Sequence, residues 1–260
     1  MSEWLVLALA MAAACAVVLV VTLLSHRLNR AGSVDGEAAE TPDVLEYMTM
    51  MVGVVYAIVL GLAIAGVWEA RSAAQDDVRR EAQALYEVTK RAEVYPADVQ
   101  EGLRADIDEY VSHVVHQEWP RMIDRNELSG RGGELLDVVR ADIAQRKPAD
   151  ELEAQAYQPM LDQVAIADDA RNARAENAGE TLPGVVWFGL ISGALVTIGL
   201  IFTMQMGRSS RELLLAGLFS ALIAFLLFLV WDFDAPFGRS GSESADAFRE
   251  LFASAAGTGS

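Results

Sequence analysis

His113 and His116 stand three residues apart, with Glu118 two further on. On a helix that spacing puts two imidazoles on one face, and two such nitrogens with a carboxylate are three of the four ligands zinc takes. Nothing in the chain supplies a further fixed ligand. The pair therefore stands as a weak metal candidate, and its plainer reading is a solvated helix face. No glycine-rich phosphate loop follows a strand and no nucleophile elbow occurs. The single cysteine, Cys15, lies within an apolar run and has no intramolecular partner. These residues carry no catalytic constellation and call for no cofactor, so an enzyme is not expected.

Two other patterns have chemical consequences. Glu3, Glu69, Glu180, Asp232 and Asp234 flank long apolar runs, with Trp68 and Trp231 beside them. In an oligomer such carboxylates form a ring that concentrates cations and repels anions. The alternative is that they mark where helix ends meet water, with tryptophan belts and exposed acids. The second pattern is small residues at every fourth position: Gly53, Ala57, Gly61 and Ala65. A stripe of that kind lets another helix backbone approach closely, either within one bundle or at a subunit interface or pore. Gly189 with Gly193, and Gly217 with Ala221, repeat the pattern in later runs.

The elements that must position these residues are long helices. Four blocks, 4–24, 48–68, 183–206 and 213–231, contain no Asp, Glu, Lys, Arg or His. Each is long enough at about 1.5 Å per residue to cross a hydrocarbon core of about 30 Å. Four such blocks in 260 residues predict a multi-pass protein of the cell membrane. The first block lacks the basic flank of a signal peptide and exceeds its usual apolar length, so it reads as a retained span. The absence of charge inside the spans argues against the proton relays and buried pairs of coupled transporters. It leaves room for a channel with an apolar constriction, or for a plain anchor.

Between the second and third blocks, residues 69–182 hold 25 acidic against 14 basic side chains, within a formal net charge of −17 for the whole chain. Such a surface suits no nucleic acid, which requires a basic face. Neither proline nor glycine occurs between Gly66 and Pro96, and Val78, Ala82, Leu85, Thr89 and Ala92 recur at helical spacing. The second span is thus predicted to continue into solvent as one helix of about 48 residues. A second amphipathic helix carries Val99, Leu103, Ile107, Tyr110 and Val114 and ends before Pro120. Residues 126–133, with three glycines, read as a loop. Helix is expected again from Glu134 to about Arg146 and, past Pro148, on to Gly179 with a kink at Pro159. Thr181 and Pro183 have the types of an N-cap and first-turn proline for the third span. In the 232–260 tail, Pro236 and Phe237 make a rigid turn, and Phe248, Leu251 and Phe252 read as an interfacial amphipathic helix.

The expected class is all-α: a four-span transmembrane bundle with a helical extramembrane domain, 69–182, inserted between spans two and three. The short 207–212 connection makes the last two spans an antiparallel hairpin. The N-terminus, the large domain and the tail then share one side, and Arg27, Arg30, Arg208 and Arg211 the other. Counting short loops alone puts the arginine-bearing loops in the cytoplasm. Including Arg71, Arg79, Arg80, Arg171 and Arg174 reverses the count, and sidedness stays open.

Three stretches together resemble a known family. They are VGVVYAIVLGLAIAGVWEARSAAQDDVRREAQAL at 52–85, YVSHVVHQEWPRM at 110–122, and 182–248, which opens LPGVVWFGLISGA and closes WDFDAPFGRSGSESADAF. In them the chain is similar to the bestrophin-like family of bacterial membrane proteins, over roughly 44–251. That family usually places a basic residue before the Pro-Phe pair, where this chain has Ala235. Bestrophins proper are pentameric anion channels with the second span lining the pore and the large domain in the cytoplasm. The resemblance therefore implies a pore-forming homo-oligomer, with the lipid bilayer and inorganic ions as its other partners. The alternative is a non-conducting membrane-anchored scaffold or sensor whose acidic domain binds a partner or divalent cations.

Overall fold

A stretch free of proline and glycine has little to stop a helix, and the helix runs through most of this one before a 3-10 turn at Ala92–Val94. In the computed structural model, α1 spans Asp43–Arg91 as one helix of 49 residues. The structure describes residues 43–125, 127–179, 182–204, 210–235, 237 and 245–256. The expected first span at 4–24, with Glu3 and Cys15, lies outside these residues, as do Glu180, Thr181 and Pro236. Every regular element among the described residues is helical, as the absence of strand-like alternation requires. Among the described residues three helices are long and apolar enough to cross a membrane: Tyr47–Val94, Gly184–Ile201 and Leu214–Phe233.

The chain divides into two compact units, one of residues 1–68 and 182–234, the other of 69–181 and 235–260. In the first, the apolar half of α1 meets α6 (Gly184–Met204) and α7 (Ser210–Phe233). Its buried seam is narrow: Tyr56, Leu60 and Val67 of α1, Leu190 and Ala194 of α6, Ile223 and Val230 of α7. Tyr56 donates its hydroxyl to the Leu190 carbonyl at 3.1 Å, which spares it an unpaired polar atom among apolar neighbours. Gly193 permits that contact, since a Cβ there would lie 2.7 Å from the Tyr56 ring. Helix α6 begins with Val186 N donating to the Pro183 carbonyl, so Pro183 sits one residue before the first helical turn.

The second unit buries a larger core. Helices α2 (Ala97–His113), α3 (Trp119–Arg125), α4 (Gly130–Gln145) and α5 (Glu151–Glu176) pack with the polar half of α1. The α1 contribution is Ala74, Val78, Ala82, Ala84, Leu85 and Val88, followed by Ala92 just past the helix end, with Val88 rather than the expected Thr89 on the inner face. Asp150 caps α5 by accepting from Glu153 N at 2.8 Å, while the Glu153 carboxylate accepts from Ala149 N at 2.6 Å. Helix α5 then runs through Pro159.

Three expectations change in this unit. The second amphipathic helix does not end before Pro120. It widens into a π-turn at Val114–Glu118, closed by Trp119 N to Val114 O, and proceeds as α3. A proline lacks the N–H for the usual bond and crowds the carbonyl four residues back, and a wider turn relieves both problems. Helix α4 begins at Gly130, so the three glycines are largely helical. The tail is not an interfacial helix. Phe237, Phe248 and Phe252, with the short helices α8 (Asp246–Leu251) and α9 (Ala253–Ala256), belong to the core of this unit. Burying three phenyl rings in a formed core gains more than laying them on a bilayer surface.

Candidate functional site

The small-residue stripe of α1 does not coincide with the seam that packs on α6 and α7. Successive residues turn about 100° on a helix, so Gly53, Ala57, Gly61 and Ala65 run beside Tyr56 and Leu60 rather than over them. Gly53 is half-buried, and Ala57, Gly61 and Ala65 are exposed. A Cβ added at Gly53 or Gly61 would meet nothing within 4 Å. Val55, Ile58, Val59 and Leu62 on neighbouring faces are also exposed. Gly189 and Gly217 are open in the same sense, whereas Gly193 is filled by Tyr56. Small residues in the apolar blocks thus fall into two kinds: one consumed by packing within the chain, the others with a face to offer.

The acidic residues at the ends of the apolar blocks differ from one another. Glu69 is exposed and Asp232 half-buried. Asp234 is 2 % exposed. Its two oxygens accept from Leu182 N at 2.7 Å and Trp187 Nε1 at 2.9 Å. It follows α7 and ties down the entry to α6, so the last two apolar helices run antiparallel. Trp68 is exposed and packs edge-on against Phe233, ring centroids 5.3 Å apart.

A third constellation lies inside the helical unit and was not anticipated from sequence. Glu81, Glu118 and Arg174 are fully buried. Arg174 Nε and Nη2 donate to the two oxygens of Glu81 at 2.8 and 3.2 Å, and Nη2 also reaches Glu118 Oε1 at 2.9 Å. Arg171 Nη2 donates to Glu118 Oε2 at 2.7 Å. Tyr110 donates its hydroxyl to Glu81 at 2.5 Å, and the Arg174 guanidinium lies 5.5 Å from the Trp119 ring centre. Burial alone would raise the Glu118 pKa, but Arg174 and Arg171 reverse that and hold the carboxyl below its ordinary range. Burial, and then Glu81, push Tyr110 well above its usual value. Burial works against the Arg174 charge, yet Glu81, Tyr110 and Glu118 raise its pKa and keep it a cation. Gly132 is required here, since a Cβ would strike the Glu118 carboxylate.

The sequence did hold a signal for this cluster. Glu81 falls on the same helical face as Val78 and Leu85, and Arg171 and Arg174 on that of Ala167 and Ala170. A charge on an apolar face implies a partner on a facing element.

The histidine pair is drawn into this region. His113 is 9 % exposed, and its Nε2 is 2.9 Å from Ser129 Oγ. His116 Nδ1 lies 2.9 Å from the Ser112 carbonyl. The solvated helix face does not hold for His113, which is buried and paired with Ser129, the residue just before α4. Among the described residues no group of three His, Cys, Asp or Glu is placed to hold a metal ion.

Against known proteins, the model of the Bestrophin-like domain matches residues 11–248. No curated protein matches the sequence. The fold is similar to that of a bacterial bestrophin homologue from Klebsiella pneumoniae, crystallised with an isoleucine-to-threonine substitution. The TM-score is 0.68 at 12% identity, over 96% of this chain and 98% of that one. A crystal structure of a membrane protein with a proline-to-alanine substitution gives 0.68 at 12% identity, over 94% and 98%.

Proposed function

This chain belongs to the bestrophin-like family, and from that premise we propose that it is a multi-pass cell-membrane protein that assembles into an oligomeric ion channel. In this reading 4–24 is the first of four spans, 69–182 the inserted extramembrane domain, and α1 the helix that lines the pore or the subunit interface. The observation that carries it is the open small-residue face of α1, with Ala57, Gly61 and Ala65 exposed and Gly53 half-buried, alongside a seam already satisfied by α6 and α7. A face of this kind gains van der Waals packing when another helix backbone approaches it. The described apolar helices carry no ionisable residue in their central stretches, which suits an apolar constriction rather than a relay.

Glu69 and Asp232 are the acids proposed to face the permeating ion, and a ring of them attracts cations. Asp234 belongs to the same candidate rim, but its oxygens are engaged in holding α6. Native mass spectrometry of the detergent-solubilised protein, followed by flux measurements in liposomes, tests the proposal. A ring of four or more subunits that conducts, with cation preference weakened in Glu69→Gln, supports it. A monomer that passes neither cations nor anions overturns it and leaves the non-conducting scaffold or sensor.

A further inference from the structure

The polar half of α1 and the tail helix α8 border an open groove of about 680 Å³. One wall is Gln75, Arg79, Gln83 and Tyr86 of α1, the other Asp246 and Glu250 of α8. Arg79 and Gln83 are exposed, Gln75 and Tyr86 half-buried. Charges in the lining are held along their own helices: Arg79 by Asp76 at 3.1 Å, Glu87 by Arg91 at 3.6 Å and Asp246 by Arg249 at 3.2 Å. Groups paired in this way do not converge on a common point, as recognition of a small charged ligand requires.

Charge singles out this side of the unit. Residues 69–91 hold five acidic and five basic side chains, whereas 92–182 hold 20 acidic and nine basic. The whole acidic excess of 69–182 therefore lies off α1. Two chains of net charge −17 repel wherever their acidic surfaces meet, so they approach at least cost along this neutral stretch of helix. The α1 wall also has the make-up of an interface centre, with a tyrosine and an arginine set among uncharged glutamines. Register leads to the same residues. Counted on from Ala65 at spacings of three and four, the stripe of α1 reaches Trp68, Ser72, Gln75, Arg79, Gln83 and Tyr86, and the last four line the groove.

We propose that a second copy of this chain seats against the groove between α1 and α8, so that the subunit contact assigned to the small-residue stripe extends to the polar half of the same helix. The inference rests on the oligomer proposed above and not on conduction.

Thiol labelling of the full chain in detergent tests it, with native mass spectrometry of the same sample. In a Cys15→Ser background, Gln83→Cys and Gln75→Cys place reporters on the α1 wall, and Ala105→Cys places one on the exposed face of α2. A hydrophilic maleimide should reach Ala105→Cys freely. Labelling of Gln83→Cys must wait for dissociation, so with less than about a tenth of the chains free it should be about tenfold slower or more. Gln75→Cys should be slowed in the same sense. An oligomer with a protected groove that passes no ion supports the inference while ending the channel reading. An oligomer in which Gln83→Cys labels as fast as Ala105→Cys overturns the inference and leaves the assembly standing. A chain that is monomeric overturns both. Protection that persists in a monomeric fraction would put some other molecule in the groove and overturns the inference as well.

Discussion

The two halves of α1 face opposite problems. In the apolar half only 17% of the span is buried, along a seam of a few residues. In the polar half, Ala74, Val78, Glu81, Ala82, Leu85 and Val88 form a continuous inner face, and one of them is a fully buried carboxylate. Water drives apolar side chains together in the second unit, so its core closes on itself and even takes in the phenylalanines of the tail. Lipid supplies no such drive, so helices there associate through close backbone approach and scattered hydrogen bonds. An apolar face left open therefore means different things in the two units: a defect in one, and the normal state or an interface in the other.

The comparison predicts that the buried ion cluster is the most sensitive point of the molecule. Arg174→Met leaves Glu81 buried without its cation and Glu118 with Arg171 alone, and should destabilise the helical unit by about 3–5 kcal/mol. Unfolding of the detergent-solubilised protein measures this, and an unchanged midpoint would mean that the cluster does not hold the unit together.

Next come the two glycines consumed by packing, one in each unit. Gly132→Ala should cost about 1–3 kcal/mol by overpacking against Glu118 and Arg171, while Gly133→Ala, with only an ordinary contact to Arg171, should be neutral or stabilising. Equal effects at the two positions would show that helix propensity and not the close approach decides. Gly193→Ala should likewise cost about 1–3 kcal/mol as the Tyr56 ring is displaced.

Asp234→Ala removes the acceptor for Leu182 N and Trp187 Nε1 and should cost about 1–3 kcal/mol. Asp234→Asn retains one acceptor and should lose less, with tryptophan fluorescence reporting the release of Trp187. The smallest effect on the fold is expected from Gly61→Leu, since nothing stands within 4 Å. Its consequence should appear instead in the mass of the assembly. A Gly61→Leu protein of unchanged oligomeric mass would remove the stripe from the interface.

Much of the fold was legible in the residues. Charge-free runs of spanning length, and an uninterrupted stretch from Gly66 to Pro96, contain their own geometry, because length and rise per residue need no partner to evaluate. The helix through Pro120 was not legible, since a π-turn depends on what the widened turn can pack against. The role of the tail was misread for a similar reason. Phe248 and Phe252 suit a bilayer surface and a protein core equally well by composition, and only the presence of an unfilled core chooses between them.

The sequence by itself determined the all-α character, the apolar helices, the long α1 and the small-residue stripe, all of which follow from local periodicity and composition. Tertiary structure alone decided which glycines are filled, how Asp234 is engaged and where the charges of α1 and α5 meet. Glu81 and Arg174 stand 93 residues apart, and the free energy that makes each tolerable in the interior comes from the other.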